Sequence, residues 1–224
     1  MNALLQVALK NALRTGAILF AFALIGTAML AFTHDRTEPV ITRGLLAEKL
    51  ALINQVLPAT LYDNDLLASQ RSVPPDDLLG TGKPSAMWIA RRSGNFSGVV
   101  LEAIAPDGYS GNIFLLIGID SEGTVTGVRV TAHHETPGLG DYISRAKSLW
   151  IEQFVGKSLT KPEPKHWKVA KDGGVFDARA GATITPRAVV KAVRSALDYF
   201  ARHRADFAAP IRGQAPPPVK ETDA

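Results

Sequence analysis

A short segment late in the chain combines hydroxyl-bearing residues, small residues and a proline in a pattern that could bind an anion. The segment reads DARAGATITP and ends at Pro186. Proline suits the first position of a helix because it lacks the N–H that would be unpaired there, so Thr185 is the predicted N-cap. The hydroxyl of Thr183 is then expected beside free amide N–H groups at the positive end of the helix dipole. Such a position favours a phosphate group.

The residues around Pro186 predict how this segment is held. Gly181 and Ala182 give an almost bare backbone ahead of the helix, which lets a ligand approach closely. After the proline, apolar side chains recur at helical spacing and predict a buried stripe. The stripe consists of Ala188, Val189, Ala192, Val193, Ala196, Leu197 and Phe200.

The spacing Asp-x-x-x-Gly-Ala-Thr, from Asp177 to Thr183, resembles the flavinylation motif of proteins that carry flavin mononucleotide (FMN) on a threonine through a phosphoester. The upstream sequences DGGVFD, HETPGLGD and GYSG extend the resemblance. Together they are similar to the G subunit of the Rnf electron-transport complex, which is akin to the C subunit of the sodium-translocating NADH:quinone reductase. The resemblance runs from the N-terminal apolar segment to about Phe200. It departs from the usual family pattern at Ala180, where Ser or Thr is common.

The resemblance implies a role for each residue of the motif. Thr183 is the implied attachment point for FMN, with Gly181 and Ala182 beside it. Thr185 is expected to cap the helix and to donate to the phosphate. Asp177 is expected either to be recognised by the flavin transferase, which moves FMN from flavin adenine dinucleotide onto the threonine, or to fix the turn. Without the resemblance, Gly-Ala-Thr before a helix is at least as compatible with an ordinary turn.

A second loop, ETPGLG, follows a predicted strand and is the other candidate part of the site. From its residues alone it could be a rigid Pro/Gly turn. The resemblance implies instead that it lines the isoalloxazine ring, with one hydroxyl, an apolar wall and a close backbone approach. The residues concerned are Glu135, Thr136, Gly138, Leu139 and Gly140.

The composition excludes several kinds of site. The 224 residues contain no cysteine, which rules out disulfides, thiolate metal sites, iron–sulfur ligation and cysteine nucleophiles. The net charge of +4 comes from 25 basic and 21 acidic residues, and the basic ones are scattered, so no nucleic-acid binding is expected. His133 and His134 are adjacent at a strand end. Their side chains therefore point to opposite faces, and no metal site is expected.

An uncharged apolar run at residues 15–33 is close to the ~20 residues that span a bilayer as a helix. Lys10 and Arg14 precede it, which predicts a cytoplasmic N-terminus with everything after Thr33 on the other side of the membrane. The resemblance then implies a periplasmic flavin domain on a bacterial inner membrane. The alternative is a cleaved signal peptide, whose apolar core has only about 7–15 residues. The longer run favours a retained anchor.

Apolar patterning predicts an α+β fold: one N-terminal transmembrane helix followed by a small, mainly antiparallel sheet packed with helices. Trp150 and Trp167 are expected in the core. Strands are predicted at 87–90, 97–105, 113–119, 125–131 and 167–170, with a hairpin between the third and fourth, and further helices at 41–57 and 143–155.

The predicted organisation has five parts in chain order. They are a cytoplasmic N-terminus (1–14), a transmembrane helix (15–33), a juxtamembrane helix and loop (34–85), an FMN-binding domain (86–207) and a disordered tail (208–224).

The resemblance implies a membrane-anchored electron-transfer subunit. It would carry covalent FMN and relay electrons among the other subunits of an Rnf-type complex, which links ferredoxin and NAD to ion movement. Two alternatives from other classes stay open on the sequence. One is a stand-alone membrane-anchored flavoprotein reductase, and the other is a flavin-free anchored binding module in which the Gly-Ala-Thr turn is structural.

Overall fold

The structure is a computed structural model that describes residues 2–209. Helix α1 (Asn2–Val56) opens the chain, and its stretch Ala8–Glu38 is, by length and composition, able to cross a membrane. The two helical segments expected at 15–33 and 41–57 are joined in this one helix. The chain divides after Glu48 into two compact units. The tail expected at 208–224 lies, from residue 210 onward, outside the described residues.

The second unit is built on a five-stranded antiparallel sheet in which each strand pairs with the next one along the chain. This arrangement confirms the α+β fold class and the predicted hairpin. The strands are β1 (Gln70–Val73), β2 (Ser85–Arg92), β3 (Asn95–Gly108), β4 (Gly111–Asp120) and β5 (Val125–Ala132).

Each face of the sheet carries its own apolar core. On one face lies helix α2 (Ile184–Ala208), and its predicted apolar stripe is buried as expected. The opposite face is covered by the end of α1 and the residues after it, where Ile53, Val56 and Leu57 form a buried cluster with Trp88. The site described below belongs to the α2 side of the sheet.

The end of α1 lies directly on the backbone of β4 and β5. Gly118 pairs with Gly127 across these strands, and a side chain at either position would collide with the backbone of Val56. The hydroxyl of Thr126 donates to the carbonyl oxygen of Val56 at 2.5 Å. Two glycines in register therefore mark where the helix docks.

The prediction of one continuous helix at 143–155 is wrong. Two 3₁₀ helices, Asp141–Ile143 and Trp150–Phe154, occupy this region. The hydroxyl of Ser148 donates to the carbonyl of Tyr142 and accepts from the N–H of Trp150, and such local bonds compete with a continuous helix.

The strand predicted at 167–170 is also wrong. Only an isolated bridge between Val169 and Phe176 forms there, next to the 3₁₀ helices Pro164–His166 and Ala170–Asp172. Trp150 and Trp167 are buried, which confirms their predicted place in the core.

Candidate functional site

The candidate site begins at the N-terminus of α2. The helix starts at Ile184, with Thr183 at the N-cap position in helical backbone angles (φ −88°, ψ −24°). The prediction that Thr185 caps the helix is therefore wrong, because Thr185 lies inside the first turn and is 1% exposed. Within the described residues, no side chain caps α2, so its first-turn N–H groups point toward the space beside Thr183.

A cleft of about 290 Å³ opens at this helix end. Its volume is at the lower edge of the ~300–1,000 Å³ typical of ligand sites. The lining brings together residues that the sequence placed in two separate loops. They are Tyr109, Glu135, Thr136, Leu139, Gly140, Gly181, Ala182, Thr183, Ile184 and Thr185.

Glu135 is the buried charged residue of the cleft, with 4% of its surface exposed. One carboxylate oxygen accepts from the hydroxyl of Thr185 at 2.5 Å, and the other accepts from the backbone N–H of Ser110 at 3.0 Å. A Cβ atom at Gly108 or Gly140 would lie within 3 Å of these oxygens. The carboxylate thus connects the β3–β4 hairpin, the 136–140 loop and α2.

The bond to Glu135 also changes the expected role of Thr185. A threonine hydroxyl has one hydrogen to donate, and in Thr185 that hydrogen is directed at the carboxylate. The predicted donation from Thr185 to a phosphate would require this bond to break. In the described geometry, Thr185 lines the cleft and holds Glu135.

The loop after Glu135 is a tight turn whose backbone closes on itself. The carbonyl oxygen of Thr136 accepts from the N–H groups of Leu139 and Gly140 at 3.1 and 3.0 Å. Gly138 has φ +76° and donates its N–H to Asp141. Gly138 lies outside the cleft lining, so its structural contribution is the left-handed turn.

Asp177 is exposed and also lies outside the cleft lining. Its backbone is firmly held, because its carbonyl oxygen accepts from the indole N–H of Trp150 at 2.7 Å and its N–H donates to Gln153 at 3.0 Å. The side chain is therefore presented at the surface, next to Leu149 and Arg179.

Tyr142 binds the backbone of the turn between Asp177 and the cleft. Its hydroxyl accepts from the N–H of Arg179 and donates to the carbonyl oxygen of Ala182, at 3.3 and 3.4 Å. The guanidinium of Arg179 lies over the Tyr142 ring at 4.6 Å. Burial of the phenol raises the pKa of Tyr142 above its usual value, so the neutral form is favoured.

Two lining residues were absent from the predicted site. Tyr109, at the tip of the β3–β4 hairpin, is 68% exposed, and Ile184 is 48% exposed. The sequence contained a signal for Tyr109 in the motif GYSG, whose aromatic residue stands between hairpin glycines. Ile184 had no such signal, because the predicted helix start was two residues too late.

These residues fit an FMN attached to Thr183. The uncapped helix N-terminus supplies N–H groups for a phosphate. Gly181, with φ +83°, adds a turn without a side chain. Tyr109, Leu139 and Ile184 supply partly exposed apolar surfaces that could contact a flavin ring.

Comparison with known proteins places this cleft within a matched domain. Residues 108–198 match the FMN-binding domain family, and residues 1–56 match the RnfG N-terminal region. The first match contains every residue that lines the cleft. An N-terminal helix able to span a membrane, followed by an FMN-binding domain, defines the class of membrane-anchored flavoproteins.

Relatives cover nearly the whole chain. It is 44% identical over 209 residues to the G subunit of the ion-translocating oxidoreductase complex of Shewanella baltica, covering 92% of this chain and 99% of the relative. The corresponding protein of Pseudomonas aeruginosa strain UCBPP-PA14 is 46% identical over 201 residues, covering 90% and 94%. The chain belongs to the family of G subunits of the ion-translocating oxidoreductase complex. This confirms the resemblance inferred from the motifs.

Proposed function

We propose that the chain carries FMN covalently on Thr183 and relays electrons within a membrane-bound oxidoreductase complex. The observation that carries the proposal is the position of Thr183, which lines the cleft at the uncapped N-terminus of a 25-residue helix. A phosphodiester formed there would be stabilised by the helix dipole and the first-turn N–H groups.

The attachment step is a phosphoryl transfer catalysed by a separate flavin transferase. The oxygen of Thr183 forms a bond to the FMN phosphorus of flavin adenine dinucleotide. The pyrophosphate bond breaks, adenosine monophosphate leaves and the hydroxyl proton is released. The exposed side chain of Asp177 is available for recognition by the transferase, because its backbone is anchored while its carboxylate is outside the cleft.

The residues of the chain position and enclose the cofactor. When bound, FMN accepts and passes electrons singly, which is chemistry that the side chains of the cleft lack. Tyr109, Leu139 and Ile184 would contact the flavin, and the loop closed by Thr136 would limit the access of water. The tyrosine-supported turn at 179–182 would hold the attachment point in place.

The names of the relatives support membership of a complex. The Shewanella and Pseudomonas relatives are named as subunits of an ion-translocating oxidoreductase complex. By this similarity, the partners of the chain are the other subunits of an Rnf-type complex, which couples electron transfer between ferredoxin and NAD to ion translocation. A covalent tether suits this role, because a flavin facing the periplasm would otherwise be lost by dissociation.

The proposed topology places the flavin domain in the periplasm. Lys10 and Arg14 precede the apolar part of α1, and a basic flank is retained on the cytoplasmic side. We keep the parts expected from the sequence (1–14, 15–33, 34–85, the FMN domain at 86–207 and the tail from 208) as a functional division. Their bounds differ from the folded unit, because β1 (Gln70–Val73) belongs to the sheet, α2 extends to Ala208, and the second compact unit begins at Lys49.

Mass spectrometry of the full chain, co-expressed with a flavin transferase, tests the attachment. We expect a mass gain of one FMN less one water, confined to the peptide that contains Thr183. The Thr183→Ala variant should show no gain. Thr131→Ala, which removes an exposed threonine at the end of β5, should be modified like the unaltered chain. If a known family member is modified under these conditions and this chain is not, the proposal is contradicted.

A further inference from the structure

Glu135 is the buried acid of the cleft. Among residues 46–209, no Lys, Arg or His lies within ion-pairing distance of its carboxylate. Both oxygens accept hydrogen bonds, from Ser110 and Thr185, as an ionised carboxylate does. Both of these donors are neutral, and the residue lines the cleft.

The surroundings of Glu135 hold this charge at a fixed place. Gly108 and Gly140 lie against its two oxygens, at positions where a Cβ atom would be 2.9 and 2.7 Å away. The side chain cannot turn out to water without losing both hydrogen bonds. Since only 4% of the residue is exposed, solvent and salt screen the charge much less than they screen a surface carboxylate.

We propose that Glu135 sets the reduction potential of the flavin by placing a fixed negative charge beside it. This inference rests on the proposed attachment of FMN to Thr183. Addition of one electron without a proton adds one negative charge to the flavin, and addition of two electrons with one proton also leaves one added negative charge. Coulomb repulsion from Glu135 opposes both changes. The carboxylate therefore lowers the potential at which a one-electron donor reduces the flavin.

Thr185 acts through Glu135 and is a positioning residue. Its hydroxyl hydrogen bond partly neutralises the carboxylate and keeps it pointed at the cleft. Removing the hydroxyl while keeping the shape of the side chain leaves the negative charge less compensated. Removing the charge of Glu135 should therefore raise the reduction potential of the flavin. Removing the hydroxyl of Thr185 should lower it.

A redox titration of the full-length flavinylated chain in detergent tests the proposal, with dithionite as the electron donor. In Glu135→Gln the amide keeps the size of the side chain but removes the charge. At a fixed potential we expect at least a tenfold increase in the reduced-to-oxidised ratio, which corresponds to about 59 mV for a one-electron step. The matched control is Glu102→Gln, whose carboxylate accepts from Ala86 outside the cleft. It should stay within threefold of the unaltered chain.

The second variant, Thr185→Val, keeps the test decisive if Glu135→Gln fails to fold. It should shift the ratio toward the oxidised flavin, opposite to Glu135→Gln, whereas simple loosening of the cleft would move both variants in one direction. A Glu135→Gln ratio within threefold of the unaltered chain, or a Thr185→Val shift toward the reduced flavin, overturns the inference.

Mass spectrometry before the titration separates this result from a failure of the proposed function. If the unaltered chain carries no FMN on Thr183, both the function and the inference fail. If FMN is present and the potentials do not respond as stated, only the inference fails. The potential is measured on the flavinylated fraction, so a change in the efficiency of attachment does not alter the result.

Discussion

At Gly140, any side chain would reach both partners of the buried hydrogen bond in the cleft. A Cβ atom there would lie 2.7 Å from Glu135 Oε2 and 3.0 Å from Thr185 Oγ1. The backbone at Gly140 has φ −89°, which alanine adopts freely, so the effect of Gly140→Ala is steric. We expect a loss of about 1–3 kcal/mol in unfolding free energy and less FMN on Thr183. Urea unfolding and intact-protein mass spectrometry measure the two effects.

Gly82 provides the control for this substitution. A Cβ atom at Gly82 meets nothing within 4 Å, and its φ is not in the left-handed region. Gly82→Ala should leave the unfolding free energy within about 0.5 kcal/mol. If Gly140→Ala behaved in the same way, the close packing of Glu135 against the loop would be contradicted.

Tyr142 makes the stability of the domain sensitive to alkaline pH. Burial raises the pKa of Tyr142, and also that of Tyr199, above the ordinary value near 10. The folded state therefore holds these protons more tightly than the unfolded state. The stabilisation is complete below pH 10 and is lost as the pH rises through the folded-state pKa values.

Tyr142→Phe tests this pH dependence. The variant loses the hydroxyl that bridges Arg179 and Ala182, at a cost of about 0.5–1.5 kcal/mol near neutral pH. Above pH 10 its stability should fall less steeply than that of the unaltered chain, because the contribution of Tyr142 is removed while that of Tyr199 stays. Urea unfolding between pH 8 and pH 11 gives both slopes, and equal slopes would contradict the assignment to Tyr142.

At the residue scale, the sequence predicted which loops form the cleft but not all of their contacts. All of the predicted site residues except Asp177 and Gly138 line the cleft. Thr185 was expected partly as a cap, yet its hydroxyl contacts Glu135, which is 50 residues away. The capping preference of threonine concerns hydrogen bonds to the backbone of the adjacent turn. A buried carboxylate also needs hydrogen-bond donors, and here Glu135 takes the hydroxyl of Thr185 instead.

At the element scale, the glycine pair beneath α1 determines how closely the helix approaches the sheet. A Cβ atom at Gly127 would lie 2.7 Å from the Cα of Val56 and 3.0 Å from the carbonyl oxygen of Gln55. These are backbone atoms, which cannot move aside as a flexible side chain can. Gly127→Ala should lower the unfolding free energy by about 1–3 kcal/mol while leaving the cleft composition unchanged.

The readout for Gly127→Ala is unfolding of the detergent-solubilised chain followed by tryptophan fluorescence. Trp88 lies in the core beneath the end of α1, so loosening of this contact should alter its emission. Gly82→Ala again serves as the matched control. Unchanged stability of Gly127→Ala would show that the helix end is not seated on the strands as described.

Local signals predicted four of the five strands of the sheet and helix α2, but not β1 (Gln70–Val73) or the 3₁₀ helices at 141–154. The hairpin of β4 and β5 follows from an apolar strand, a glycine-ended acidic turn and a Val/Thr-rich strand, all of which are local signals. The helix expected at 143–155 failed because the apolar spacing was compatible with a helix, while Ser148 satisfied the backbone locally instead. The start of α2 moved to Ile184 because Thr183 already has helical angles.

At the scale of the whole molecule, the chain divides into an N-terminal unit that contains the apolar anchor and a second unit that contains the sheet. Residues 2–48 form one compact unit and residues from Lys49 onward form the other. The boundary falls inside α1, because the last turns of this helix cover one face of the sheet. A soluble domain therefore has to include part of the N-terminal helix.

A pair of truncations tests this boundary. A chain of residues 49–209 retains Ile53, Val56 and Leu57, which are at most 1% exposed and complete the core with Trp88. It should be monomeric in water and unfold cooperatively. A chain of residues 58–209 lacks these three side chains and leaves Trp88 uncovered. Since each buried aliphatic side chain contributes about 1.5–3 kcal/mol, the shorter chain should be mostly unfolded or aggregated.

Size-exclusion chromatography and thermal unfolding distinguish the two truncations, and flavin attachment gives an independent readout. The cleft residues lie on the α2 side of the sheet and are present in both chains. The longer chain should accept FMN on Thr183 when the transferase is supplied, because no cleft residue comes from α1. Equal stability of the two chains would mean that the end of α1 is dispensable. The second unit would then be stabilised by the apolar core on the α2 side of the sheet without the core beneath α1.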